Sequence, residues 1–262
     1  MSVVLTVQHL QHQYAGVHAL RGVSFELQQA ECVALIGPNG AGKSTCFACL
    51  AGQQIASAGQ IVWRDQNLMQ VPVTDRRALG IGRTFQVAQV FEALTVIQNL
   101  QLVLKAKKGV SAMDVLDDCD HDAALACANA TGLEALGMEV LHSSAAQLSY
   151  GNKKRLELAM AMAGLPDPGR GLLLLDEPAA GLSPEERLDM MARIRMLTQQ
   201  GTTVLYTEHN MDAVFGVADR VLVLMEGQLL AQGLPEDMAA HPEVRARYLG
   251  THFAPKERRG HA

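Results

Sequence analysis

The junction between the apolar run Cys32-Val33-Ala34-Leu35-Ile36 and the loop Gly37-Pro38-Asn39-Gly40-Ala41-Gly42-Lys43-Ser44-Thr45 constrains the fold more than any other feature. Five apolar residues in a row read as a short buried strand, and the loop feeds a helix that opens near Lys43 and stops at Gly52. In the pattern GxxxxGK[ST], glycines let consecutive backbone N–H groups turn inward on phosphate oxygens, while the helix N-terminus adds positive potential. Lys43 then neutralises the outer phosphates and Ser44 ligates magnesium. The alternative, a plain glycine-rich turn, leaves the strand, the lysine and the hydroxyl unexplained.

A magnesium-nucleotide site needs a second anchor at the end of a neighbouring parallel strand. Leu172-Leu173-Leu174-Leu175 followed by Asp176-Glu177-Pro178 supplies it. Asp176 can hold the metal shell, and Glu177, aimed at the terminal phosphate, can polarise an attacking water. Alone, the Asp-Glu-Pro run could equally be a loop acid cluster; the phosphate loop tips the balance.

Around these anchors, alternation over Val3–Leu10 and Val23–Leu27 predicts short antiparallel strands, with further strands at Gln60–Trp63 and Ile81–Phe85 and a short helix opened by Pro72 and Thr74. From Glu92 to about Ala163 the periodicity is helical, with breaks at Gly109, Gly132 and Gly137. Ser183-Pro184-Glu185-Glu186 is a capping box with proline at the first helical position, opening a helix to Gln200. Strands at Thr202–Thr207, Val221–Met225 and Leu229–Gln232 and helices near Glu236 and Glu243 follow, then a loose polar tail from Thr251 to Ala262.

Composition narrows the function. The 262 residues carry 27 acidic against 22 basic side chains, a formal charge of −5 that argues against a nucleic-acid surface. No run approaches the roughly 18 apolar residues that cross a bilayer, and Met1-Ser2-Val3-Val4 lacks a signal-peptide layout, so a soluble intracellular chain is expected. Five scattered cysteines fit a reducing compartment. Cys46 and Cys49 form a CxxC pair, but the phosphate loop already occupies that junction, so the pair reads as structural.

Leu148-Ser149-Tyr150-Gly151-Asn152 opens an amphipathic basic helix between the two anchors, another ready anion site. Here the chain resembles the ATP-binding-cassette (ABC) ATPases, whose signature is LSGGQ just upstream of the second anchor; this copy departs from it at Tyr150 and Asn152. The resemblance runs from about Val3 to Gly250, with its remaining elements in order. It implies that Tyr14 stacks on adenine (otherwise a strand-end tyrosine), that Gln86 in Arg83-Thr84-Phe85-Gln86 touches magnesium and the attacking water, and that His209 bonds the terminal phosphate. Ala180-Gly181-Leu182-Ser183 lies where the family has its dimer-contact loop, with serine in place of the common aspartate.

The implied fold is α/β, a P-loop NTPase ABC ATPase core (a mixed sheet with an N-terminal antiparallel β subdomain) plus an α-helical subdomain. Residues 1–250 would form one ABC ATPase domain. Segments 1–86 and 166–250 would make the core, 87–165 the helical subdomain, and 251–262 a flexible tail. In this family ATP and Mg2+ bind at Gly37–Thr45, Gln86 and Asp176, Glu177 acts as base, and the signature Leu148–Asn152 covers the nucleotide of a second ATPase subunit, identical or different.

Leu94-Thr95-Val96-Ile97-Gln98-Asn99-Leu100, Leu-Ser-Tyr-Gly at 148–151 and the ending Pro242-Glu243-Val244 to Tyr248-Leu249-Gly250 resemble the branched-chain amino-acid importer ATPases of bacteria. That resemblance implies separate permease subunits, an indirect extracytoplasmic solute-binding protein and a peripheral place on the cytoplasmic face of the inner membrane. Urea, amide and aromatic-acid importers use similar cassettes. A lipopolysaccharide-export motor and a soluble non-transport cassette are the alternative readings.

Overall fold

β1 (Val3–Tyr14) and β2 (Val17–Gln28) form a long antiparallel hairpin in the computed structural model, which describes residues 2–108 and 120–250. Both strands outrun the stretches that alternation predicts. The register between them shifts at Val7/Leu10 and Leu10/Gln11, and His9 takes a positive φ of 48°. A bulge reverses which side chains face inward, so a period-of-two pattern breaks there although the ladder continues.

β3 (Cys32–Ile36) leads through the glycine loop into α1 (Lys43–Ala51). β4 (Ala58–Trp63) and the two-residue β5 (Gln66–Asn67) complete a four-stranded sheet of order β2-β1-β4-β5, and α2 (Val73–Arg76) leads to β6 (Ile81–Arg83). β6 ends two residues before the predicted Phe85, because after Thr84, which still donates to Leu174 O (3.0 Å), the backbone turns away from the sheet.

The described part of the insert is helical: α3 (Val96–Lys107), α4 (His121–Ala130), α5 (Met138–Leu141) and α6 (Tyr150–Ala163), packed on their own core of Val96, Leu100, Leu133, Leu141 and Leu156. The predicted break at Gly109 and the tail 251–262 lie outside the described residues.

β7 (Leu172–Asp176), α7 (Pro184–Gln199), β8 (Thr203–Thr207), α8 (Met211–Val217), β9 (Arg220–Met225) and β10 (Gln228–Gly233) follow; α9 (Pro235–Ala240) and α10 (Pro242–Val244) come last. The second sheet has the order β10-β9-β3-β8-β7-β6, parallel except for the β9–β10 hairpin.

Both faces of that sheet are covered, which is why its strands read as unbroken apolar runs. Val33, Leu35, Leu174 and Leu205 pack with α1 and the antiparallel sheet, while Ala34, Ile36, Leu173, Leu175 and Tyr206 pack with α6, α7 and α8. β3 and β7 flank β8, so the phosphate loop after β3 and Asp176-Glu177 at the end of β7 emerge at the same edge.

Candidate functional site

Two glycines of the loop between β3 and α1 leave no room for a side chain. A β-carbon on Gly37 would lie 2.0 Å from Leu224 O, and one on Gly42, at φ 103°, would lie 2.6 Å from Ala19 O. Outside braces hold the loop: Gly227 N donates to Ala41 O at 3.0 Å, and the Tyr248 hydroxyl accepts from the Gly37 backbone. α1 begins without a side-chain cap and without an acidic residue in its first turn. Its first amides are therefore left for an external acceptor. Lys43 crosses the loop, its Nζ donating to Gly37 O (2.7 Å) and Pro38 O (3.1 Å). Burial pushes its ammonium below the usual range, and the nearby Glu177 and Asp176 oppose that shift.

Opposite the loop, the carboxylates are oriented by neighbours. Thr207, buried at the end of β8, donates its hydroxyl to Asp176 Oδ1 (2.8 Å) and accepts from Glu177 N (3.0 Å). Arg83 approaches Asp176 Oδ2 at 3.5 Å. Glu177 has φ 48°, a left-handed conformation that a side-chain-bearing residue holds only when its surroundings impose it. Its two oxygens meet His209 Nε2 (2.8 Å) and Gln86 Nε2 (3.1 Å). Three side chains picked out in the sequence, Glu177, Gln86 and His209, thus meet directly, and Asp176 is joined to them through Thr207. Lys43 is in electrostatic contact with both carboxylates.

Tyr14 ends β1, 42% exposed as a residue, with its ring braced edge-on by His12 (4.3 Å between ring centroids). The region 148–152 opens α6, where Ser149 Oγ accepts from Asn152 N (3.3 Å). Gly151 is buried against Glu186, and Asn152 Oδ1 accepts from Arg155, which also pairs with Asp189 at 2.7 Å. The Tyr150 ring lies over Gly181, where a β-carbon would come within 3.1 Å, so this region touches the Ala180–Ser183 loop of its own chain. Cys46 and Cys49 are both buried in α1; burial raises both thiols, Cys49 to about 11, as the structural reading expects.

Sequence reasoning missed Thr207, Lys154, Glu157 and Tyr248. Lys154 Nζ donates to Phe85 O (2.8 Å) and Gln86 O (2.7 Å), and Glu157 Oε1 accepts from Phe85 N (3.0 Å) and Gln89 N (3.1 Å). Burial pushes the Glu157 carboxyl up to about 7 against the pull of those amides and Lys154. A lysine and a glutamate in a basic amphipathic helix signal a solvated face, so the sequence carried no cue to either.

The family model described as ABC transporter matches residues 20–180. The high-affinity branched-chain amino acid transport ATP-binding protein LivG is 38% identical over 94% of this chain and 98% of its own length, in both Salmonella typhimurium and Escherichia coli K12. BraF of Pseudomonas aeruginosa, with the same description, is 34% identical over 94% of this chain and 98% of its own length. Among solved structures, a nucleotide-free ATP-binding cassette of an ABC transporter superposes with a TM-score of 0.82 at 23% identity, over 95% of this chain and all of the other. A dimeric cassette bound to ADP and phosphate superposes with a TM-score of 0.74 at 21% identity, over 88% of this chain and 98% of the other. These two establish a shared fold.

Proposed function

The chain belongs to the ABC transporter ATP-binding family, and on that premise we propose that it is the ATP-hydrolysing subunit of a bacterial importer for branched-chain amino acids. Its near end-to-end similarity to LivG and BraF carries this reading. The family's members bind and hydrolyse ATP.

Glu177 takes a proton from water as the water oxygen bonds to the terminal phosphorus and the bond to the bridging oxygen of ADP breaks. Its support is the strained backbone and the grip of Gln86 and His209. Lys43 and His209 balance charge on the transferred group, a task of positioning and electrostatics. The residues at 37–45 cradle the phosphates, and Tyr14 stacks on adenine with its exposed ring. Ser44, Gln86 and Asp176 offer a hydroxyl, an amide oxygen and a carboxylate, the hard oxygen set that suits Mg2+. When bound, the ion neutralises charge on the outer phosphates.

Leu148–Asn152 covers the nucleotide of a second cassette, identical or different. No helix among the described residues is long and apolar enough to cross a membrane, so transport requires separate permease subunits, with a solute-binding protein acting on them from outside. The chain then sits peripherally on the cytoplasmic membrane face, without a nucleic-acid partner.

The test is a pull-down of the tagged chain from detergent-solubilised membranes. Two importer permeases and a second ATPase should co-purify, and hydrolysis in the reconstituted complex should rise with a leucine-loaded binding protein. Recovery of lipopolysaccharide-export permeases, or of no membrane protein, overturns the importer assignment.

A further inference from the structure

The segment carrying Gln86 is tied to two bodies. Thr84 N holds it to β7 through Leu174 O (3.0 Å), and beyond that its backbone bonds go to α6. Lys154 and Glu157, one turn apart on that helix, grip it with opposite polarity: the ammonium takes the carbonyls of Phe85 and Gln86, and the carboxylate takes the amides of Phe85 and Gln89. Tyr150 OH adds a contact to Gln86 O at 3.4 Å.

The two charged side chains are almost wholly buried, yet they stand 4.0 Å apart. A buried pair this loosely matched is a poor source of stability, since desolvation costs as much as the attraction returns and apolar replacements are often neutral or better. Their bonding capacity goes to one loop backbone instead. Lys154 is also in electrostatic contact with Asp176, Glu177 and Glu208, so the grip lies beside the carboxylate cluster.

We propose that Lys154 and Glu157 are positioning residues: by holding the backbone of residues 85–89 they set where Gln86 meets Glu177. This rests on reading Gln86 as part of the hydrolytic site. Because the grip is on backbone atoms, the identity of the Gln86 side chain is irrelevant to it.

Two measurements on the full-length chain test this. In nucleotide-free protein, Glu157→Leu should speed amide hydrogen exchange across residues 85–89 by about ten-fold or more while β7 and β8 keep wild-type protection. In the assembled transporter with MgATP, Lys154→Met should lower kcat about ten-fold with KM for ATP within about two-fold, and adding it to Gln86→Ala should slow that variant by less than about two-fold further. If Lys154→Met melts early, Lys154→Met/Glu157→Gln, which buries no charge, takes its place. Wild-type hydrolysis by Gln86→Ala would sink the reading of Gln86 itself. A slow Gln86→Ala beside a fast Lys154→Met, or two fully multiplicative defects, or unchanged exchange at 85–89, would overturn the positioning role alone.

Discussion

Thr207 ties down both acidic residues of the site with one hydroxyl, donating to the Asp176 carboxylate and accepting from the backbone N–H of Glu177. Valine has the same shape without the hydroxyl, so Thr207→Val leaves a buried carboxylate oxygen and a part-buried N–H each short of a partner. Each orphaned group costs about 1–3 kcal/mol, the larger share falling on the charged one. We expect Thr207→Val to lose stability of that order in urea unfolding and to hydrolyse ATP at least about ten-fold more slowly, with nucleotide affinity nearly unchanged because the phosphate loop is untouched. Wild-type turnover would mean that other contacts orient Glu177. The residues that sequence reading found, Lys43, Asp176, Glu177, Gln86 and His209, stand in recognisable local strings. Thr207 stands in none: its partners are 31 and 30 residues away in the chain, and a threonine ending an apolar strand looks like ordinary strand chemistry.

At the scale of elements, local chemistry was most legible where it is self-contained. Ser183 and Glu186 exchange bonds as the capping box requires, Ser183 N to Glu186 Oε2 at 3.0 Å and Glu186 N to Ser183 Oγ at 3.2 Å, and α7 begins at Pro184 as its spelling indicates. Ser183→Ala should cost about 1 kcal/mol, lowering the melting temperature by about 2–4 °C for a chain of this size. Ser183→Asp, restoring the family's commoner residue, should hold the wild-type value because aspartate caps equally well. An alanine variant as stable as wild type would assign the helix start to Pro184 and to packing. The long β1–β2 hairpin was less legible, since its length depends on bulges at which pairing continues while alternation fails. The end of β6 was hidden for a related reason: Phe85 leaves the sheet because Glu157 and Lys154, some seventy residues later, take its backbone.

For the whole molecule, the proposed function makes the phosphate loop half of a site. α1 presents uncapped amides from a core built on the antiparallel sheet, whereas Ser149 and Tyr150 stand exposed at the start of α6, on the helical insert with its separate core. In the proposed reading a second cassette brings its own α6 start to the nucleotide, so the assembled dimer should persist for as long as ATP stays intact. Glu177→Gln keeps the shape and one acceptor oxygen while removing the base. Mixed with MgATP, alone or with the second ATPase that co-purifies with it, this variant should bind nucleotide as wild type does and hydrolyse it at least about a hundred-fold more slowly. In sedimentation it should shift from monomer to dimer. Adding Lys43→Ala should abolish the shift by removing the nucleotide, and Ser149→Arg should abolish it with nucleotide still bound, because only the contact to the neighbour is lost. A dimer that forms without ATP, or survives Ser149→Arg, would mean that the two copies meet through some other face and that α6 does not close the site.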